Sequence, residues 1–282
     1  MAITNAMPDL ARELTFYPAE TTDPQTLTRD QVENFNKKGF VFPLEVFTPK
    51  EAEANRAYFD DIIQKALEAG FTSYNVQRWH IYCQGIYDII TDSRLLDYVQ
   101  DILGKNLIIR GSHCFCKLPG DDKQVAWHQD ASYWPITPSK IVTAWLAIDD
   151  VDEENGAMQI IPDSHLQGQI PFERSTKEEK NVLGQTVHNA ETFGAAPVSL
   201  NLKAGQMSLH SDLLLHSSRP NLSNRRRCGI AIRFVPPETT ELKGYSKNTV
   251  IARGTDPTGN WFNAPRPQGE TIPTPQQKAH KP

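Results

Sequence analysis

The chain has 282 residues, 39% of them hydrophobic, and a formal net charge of −5. That is enough apolar material for one large domain or two small ones, and the acidic balance argues against a nucleic-acid partner. No apolar run approaches the roughly 18 residues that a membrane span requires, so no membrane partner is expected.

The first 22 residues scatter Asp9, Glu13 and Glu20 among prolines without an apolar centre, and do not read as a secretory signal. Ala279-His280-Lys281-Pro282 is no peroxisomal address. Cys83, Cys114, Cys116 and Cys228 make no disulfide framework for a chain this long, and Cys114-x-Cys116 lacks the second pair a zinc site needs. The expectation is a reduced, cytoplasmic protein.

In chain order, residues 1–27 are polar and proline-containing, and read as a loosely packed arm. Thr28-Arg29-Asp30-Gln31 is a capping box that opens a short helix through Phe35, stopping near Gly39. Phe40 to Pro43 reads as a short strand. Thr48-Pro49-Lys50-Glu51 starts a second helix, running to about Ala69 and ending at Gly70. Leu95, Leu96, Val99, Ile102 and Leu103 have helical spacing, and Gly104 closes that helix.

After Gly104 the pattern changes. Leu107 to Leu118, Ile141 to Ile148, Ala157 to Ile161, Pro197 to Leu202, Gln206 to Leu209, Leu213 to Ser217, Cys228 to Val235 and Thr249 to Ala252 read as short strands between Gly and Pro turns. The fold class is mainly β with α: a double-stranded β-helix (jelly roll) with N-terminal helices packed on the barrel. The domain beyond the arm is single (28–282), with a helical part 28–104, a jelly-roll core over about 105–253 and a tail 254–282 lying across the barrel. Residues 163–196 read as a loop over one mouth.

The chemistry concentrates in Trp127-His128-Gln129-Asp130. In an extended strand His128 and Asp130 point to the same side, so an imidazole and a carboxylate converge. These are two thirds of the facial triad that holds ferrous iron in oxygenases. Two histidines, His210 and His216, compete for the third place. Eleven residues after His216, Arg227 opens a strand. If that strand pairs with the one carrying His216, its guanidinium enters the same cavity and suits bidentate capture of a carboxylate. The alternative is that Arg225-Arg226-Arg227 is a solvated turn.

The sequence resembles the phytanoyl-CoA dioxygenase family of iron(II)/2-oxoglutarate oxygenases, with the related ectoine hydroxylases, over about 35–250. The resemblance rests on the order and spacing of Lys117-Leu118-Pro119-Gly120, Trp127-His128-Gln129-Asp130, Tyr133-Trp134-Pro135, Ala144 to Asp150, Glu154-Asn155-Gly156, Pro162 to His165, Gly205-Gln206-Met207, Leu215 to Ser218 and Arg227. It implies His128, Asp130 and His216 as iron ligands, and Arg227 with Ser218 as the 2-oxoglutarate anchor. Lys117, Trp145 and His113 follow as further contacts of that co-substrate, which leaves His210 as wall or core.

The implied reaction converts 2-oxoglutarate and O2 to succinate and CO2 while hydroxylating an unactivated C–H bond, with ascorbate an aid in vitro. Desaturation, epimerisation or ring closure are the alternatives; a non-catalytic jelly-roll binding protein is another. Halogenating relatives replace the triad carboxylate with a small residue, so Asp130 argues against halogenation. Tyr133 and Trp134, with Trp145 and Trp79, suggest an aromatic substrate wall. Arg78, His80, Tyr82 and Gln84 alternate as in a strand and offer anion donors, or else form an exposed face. The isolated His80 and His188 otherwise read as structural or surface residues, and His165 as structural. A small polar metabolite, such as an amino acid or a phosphonate, is the expected substrate.

Overall fold

The computed structural model describes residues 2–244 and 246–275. The final residues of the expected tail lie outside them. Helix α1 (Arg29–Lys38) and helix α2 (Pro49–Glu68) both open with reciprocal caps: Thr28 with Gln31, and Thr48 with Glu51. Helix α1 ends at Gly39 with φ 87°, where a Cβ would lie 2.7 Å from the His165 ring. Only glycine meets both constraints.

The stretch 77–90 departs from the expected strand. Arg78 sits in the left-handed region (φ 60°), Trp79–Ile81 form a 3-10 turn, and helix α3 follows at Gln84–Ile90. The reason lies in the apolar spacing. Trp79, Cys83, Ile86 and Ile90 recur every three or four residues, and all are buried in the main core. Trp79 is therefore a core residue and not part of a substrate wall. His80 is equally buried, bonded to Ser112 and to the Asn248 carbonyl. Helix α4 (Ser93–Leu103) follows, capped by Asp92.

The jelly roll is built from ten strands: β1 (Phe40–Glu45), β2 (Leu107–Lys117), β3 (Val125–His128), β4 (Val142–Ala147), β5 (Met158–Ile160), β6 (Val198–Ser199), β7 (Gln206–Ser211), β8 (His216–Ser218), β9 (Arg227–Val235) and β10 (Val250–Arg253). The larger sheet has the order β1-β7-β4-β9-β2-β10 and the smaller β3-β8-β5-β6. Every pairing in both is antiparallel.

Alternation assigns the two faces of the large sheet. Ala144, Leu146, Ile230 and Ile232 join the helices in the main core. Trp145, Ala147 and Ala231 pack on the other side with Met158 and Ile160 of the small sheet. The space between the sheets is where the site lies.

The N-terminal arm is more tightly held than its composition suggests. Ile3 bridges to Phe172, Arg12 donates to the carbonyls of Ala131 and Trp134, and the Gln25, Thr26 and Leu27 amides all donate to Asp101. Its polar residues satisfy backbone groups elsewhere in the fold. The tail is tied down in a similar way, with Arg266 on Asp88 and Glu270 on Tyr58 and the Gly85 amide. Among the described residues, no helix is long and apolar enough to cross a membrane.

Candidate metal centre and acid-binding cavity

Strand β3 pairs with β8 so that His128 lies directly opposite His216. The two rings are 4.1 Å apart, centroid to centroid. Extended backbone continues through Gln129, and Asp130 then opens a 3-10 turn, Asp130–Ser132. This turn brings the Asp130 carboxylate to 3.8 Å from His128 Nε2 and 4.0 Å from His216 Nε2. One ligand atom from each of the three lies within 4.8 Å of the others, and all three residues are buried.

Each imidazole is locked by the backbone two residues before it. His128 Nδ1 donates to the Ala126 carbonyl (2.8 Å) and His216 Nδ1 to the Leu214 carbonyl (2.9 Å). A carbonyl only accepts, so the proton sits on Nδ1 and the Nε2 lone pair faces the centre. Burial, reinforced by neighbouring His216, lowers the His128 pKa to about 3, which keeps it neutral as a metal ligand must be. Burial alone would raise the Asp130 pKa. Arg233 is the largest counterweight, and the Asp130 pKa lies at about 2. Two imidazole nitrogens and one carboxylate oxygen gathered around one point fit ferrous iron.

The turn has its own supports. Gln129 donates to the carbonyls of Leu213 and Gly168 and accepts from the Ile170 amide. Thr143 donates to Asp130 at 3.3 Å. Arg12 donates to the Ala131 carbonyl within the turn and to the Trp134 carbonyl just beyond it.

Arg227 reaches this cavity by a different route from the one its spacing suggested. Strand β9 does not pair with β8; it lies between β2 and β4 in the large sheet. The guanidinium thus faces His216 across the sandwich. It is buried, donates to the Gly156 carbonyl through Nε and one terminal nitrogen (3.0 and 2.7 Å), and stacks 5.2 Å from the Trp145 ring. The arginine run divides three ways. Arg225 pairs with Asp152 and Glu154 at the surface, and Arg226 forms a two-point pair with Asp149. Arg227 alone turns inward.

A small inner cavity of about 40 Å3 lies between the two sheets. His128, Asp130, His216, Ser218, Trp145 and Arg227 all line it, as does His210. His210 is thus a wall residue, 4.9 Å from His216.

Two expected co-substrate contacts lie elsewhere. Lys117 is fully buried behind Ser218, its ammonium donating to the carbonyls of Lys123, Ser218 and Arg219, and does not line the cavity. His113 stands at an outer mouth with its Nε2 on the Tyr74 carbonyl. Arg78, Tyr133 and Trp134 border that same mouth, together with Val182 to Gly184 of the 163–196 loop; His80 does not. The mouth has a volume of about 390 Å3, and Phe115, Asp130 and Arg233 stand in the wall it shares with the inner cavity.

Residues missed from the sequence include Gln129, Thr143, Arg110 and Arg233. One signal was present for Arg233: Arg227, Gly229, Ala231 and Arg233 alternate along β9 and share its inward face.

A profile of the phytanoyl-CoA dioxygenase (PhyH) family matches residues 35–229. The chain belongs to the phytanoyl-CoA dioxygenase family. Among relatives, a probable alpha-ketoglutarate-dependent hypophosphite dioxygenase of Stutzerimonas stutzeri is 28% identical over 171 residues, 60% of this chain and 59% of that protein. The human peroxisomal phytanoyl-CoA dioxygenase is 26% identical over 173 residues, 58% of this chain and 51% of that protein. The matches thus span between half and three fifths of these two relatives. Among solved structures, the non-heme monooxygenase ThoJ in its apo form superposes with a TM-score of 0.73 at 28% identity, covering 84% of this chain and 88% of that one. The family expected from the motifs and the jelly roll expected from the strands are both borne out.

Proposed function

We propose that the protein is an iron(II)- and 2-oxoglutarate-dependent dioxygenase that hydroxylates an unactivated C–H bond of a small metabolite, with 2-oxoglutarate and O2 converted to succinate and CO2. The observation that carries this reading is the placement of the Asp130 carboxylate within 4.0 Å of both His128 Nε2 and His216 Nε2, across one cavity from the buried Arg227.

In this reading His128, Asp130 and His216 would hold the ferrous ion. When bound, the ion activates dioxygen at the expense of the keto acid. The chain's own residues bind and orient. Arg227 neutralises the distal carboxylate of 2-oxoglutarate, the Ser218 hydroxyl is its hydrogen-bonding neighbour, and the Trp145 indole forms a flat wall that excludes water. The name of the Stutzerimonas relative supports use of 2-oxoglutarate by a chain of this family.

The test is anaerobic addition of 2-oxoglutarate to the iron(II)-loaded protein. A weak visible charge-transfer band is expected, followed on admission of air by succinate formation in the presence of ascorbate. Absence of the band at saturating 2-oxoglutarate would overturn the assignment.

A further inference from the structure

The inner cavity accounts for one arginine, and the outer mouth brings together three more. Arg110 is matched by Glu241 at 3.2 Å, with both side chains nearly buried. The other two have donors to spare. Arg233 lies in the wall common to the inner cavity and the mouth. Its guanidinium sits 5.4 Å from the Trp134 ring and 5.9 Å from the Phe115 ring. One terminal nitrogen reaches the Ala231 carbonyl at 3.4 Å, and its Nε is buried with no hydrogen-bond partner.

Arg78 approaches from the opposite rim. Its left-handed backbone is pinned by its amide on the Ser112 carbonyl, 2.8 Å away. Its stem passes over Gly111, where a Cβ would meet Arg78 Cγ at 3.8 Å. Among the described residues its guanidinium has no hydrogen-bond or ion-pair partner. A residue held in an uncommon backbone conformation beside a cavity is a frequent mark of a binding site.

The charges facing the mouth do not balance. Against Arg78, Arg110 and Arg233 stand Glu241 and Asp130. Glu241 pairs with Arg110 through Oε2 alone, and Asp130 faces both Arg233 and the proposed metal. Two guanidiniums remain around one opening, and a buried donor without a partner is costly unless a ligand supplies one. They are also separate from the co-substrate anchor. Arg227 and Arg233 are six positions apart on β9, about 20 Å along a strand at roughly 3.3 Å per residue. They therefore stand at opposite ends of the inner cavity.

We propose that the outer mouth is the substrate subsite and takes a compact anionic group, a carboxylate or a phosphonate, gripped by Arg233 and Arg78 against the Trp134 ring. The anion fixes the substrate at the mouth, so that its C–H bonds point inward to the triad. This inference rests on the dioxygenase reading for its meaning, though the anion site itself is tested independently.

The experiment uses the full chain, loaded anaerobically with iron(II) and saturated with 2-oxoglutarate so that Arg227 is occupied. Methylphosphonate and acetate are titrated by calorimetry, with acetamide as the uncharged control. Saturable binding of either anion but not of acetamide is expected, the tighter anion indicating the substrate's acid. Arg78→Gln should weaken that binding at least tenfold while the 2-oxoglutarate charge-transfer band still forms at wild-type concentration; Arg233→Gln should weaken it likewise, with its fold checked by a thermal melt, because Arg233 also faces Asp130. The proposal is overturned if neither anion binds the wild-type protein, or if both variants bind it as tightly as wild type. A wild-type protein that gives no band sinks the dioxygenase reading instead. The same titrations on the metal-free protein then still decide whether the two arginines form an anion site.

Discussion

Two buried residues show how differently the interior treats charge. Arg227 keeps its charge because its donors find a carbonyl oxygen and an aromatic face. Its remaining capacity is what a carboxylate would fill. Arg227→Ala is expected to raise the 2-oxoglutarate KM at least about 30-fold, since a buried charge pair that loses one partner costs about 2–5 kcal/mol. Steady-state kinetics at varied 2-oxoglutarate would show it, and an unchanged KM would remove the arginine from the co-substrate site.

His80 follows the opposite rule. Its Nε2 donates to the Asn248 carbonyl and its Nδ1 is bonded to the Ser112 hydroxyl, and burial lowers its pKa from 6.5 to about 4. Between those values the unfolded chain binds a proton here and the folded protein does not. Stability from this group is therefore complete above about pH 6.5 and is lost as the pH falls toward 4, by about 1.4 kcal/mol per unit. The stability difference between wild type and His80→Gln should be smaller at pH 5 than at pH 7 in denaturant titrations. A difference that does not change with pH would refute this account.

At the scale of elements, strand β9 carries the organisation of the cavity. Its inward residues set a charge at each end with two small residues between: Arg227, Gly229, Ala231, Arg233. The small residues are there because Trp145 lies across from them. A Cβ at Gly229 would stand 2.1 Å from the Trp145 ring, so the indole can lie flat only over glycine. Gly229→Ala should push the ring toward Arg227, lower the stability by about 1–3 kcal/mol and weaken 2-oxoglutarate binding. A thermal melt together with the titrated charge-transfer band measures both. If neither moves, the close approach has no bearing on the site.

Outer elements secure this strand to its neighbour. The buried Asp149 carboxylate accepts from Arg226 at two points and from the Cys228 amide, which ties β9 to the end of β4. The helices were legible because capping is local: Thr28 and Thr48 bond three residues ahead whatever the rest of the chain does. The segment from Arg78 to Ile90 was not, because polar alternation at Arg78, His80, Tyr82 and Gln84 masked the helical recurrence of Trp79, Cys83, Ile86 and Ile90.

At the scale of the whole molecule, the metal turn is held from several distant places. The turn after His128 rests on Gln129 contacts to two separate loops and on Arg12 of the N-terminal arm, whose guanidinium lies 2.8 and 2.9 Å from the Ala131 and Trp134 carbonyls. Residues behind a metal ligand commonly change metal affinity by about 10–100-fold. Arg12 is partly exposed, so Arg12→Ala is expected near the lower end, about tenfold, read by competition with a chelator. Wild-type affinity in that variant would show that the arm is not part of the metal site's support.

The sequence by itself determined the short-range features: the helix starts, the strand alternation and the residue types that could form an iron site. The His-x-Asp pair, the two competing histidines and the inward arginine were all visible as a set. Only the tertiary structure decided how they meet. His216 rather than His210 stands opposite His128 because of the β3–β8 register, and Arg227 arrives from the other sheet. Arg78, Arg110 and Arg233 converge from far-apart stretches of the chain. Capping and alternation act over a few residues and can be read along the chain. Register and sheet membership are set by which apolar faces close on one another over long loops, and nothing local to a strand records that choice.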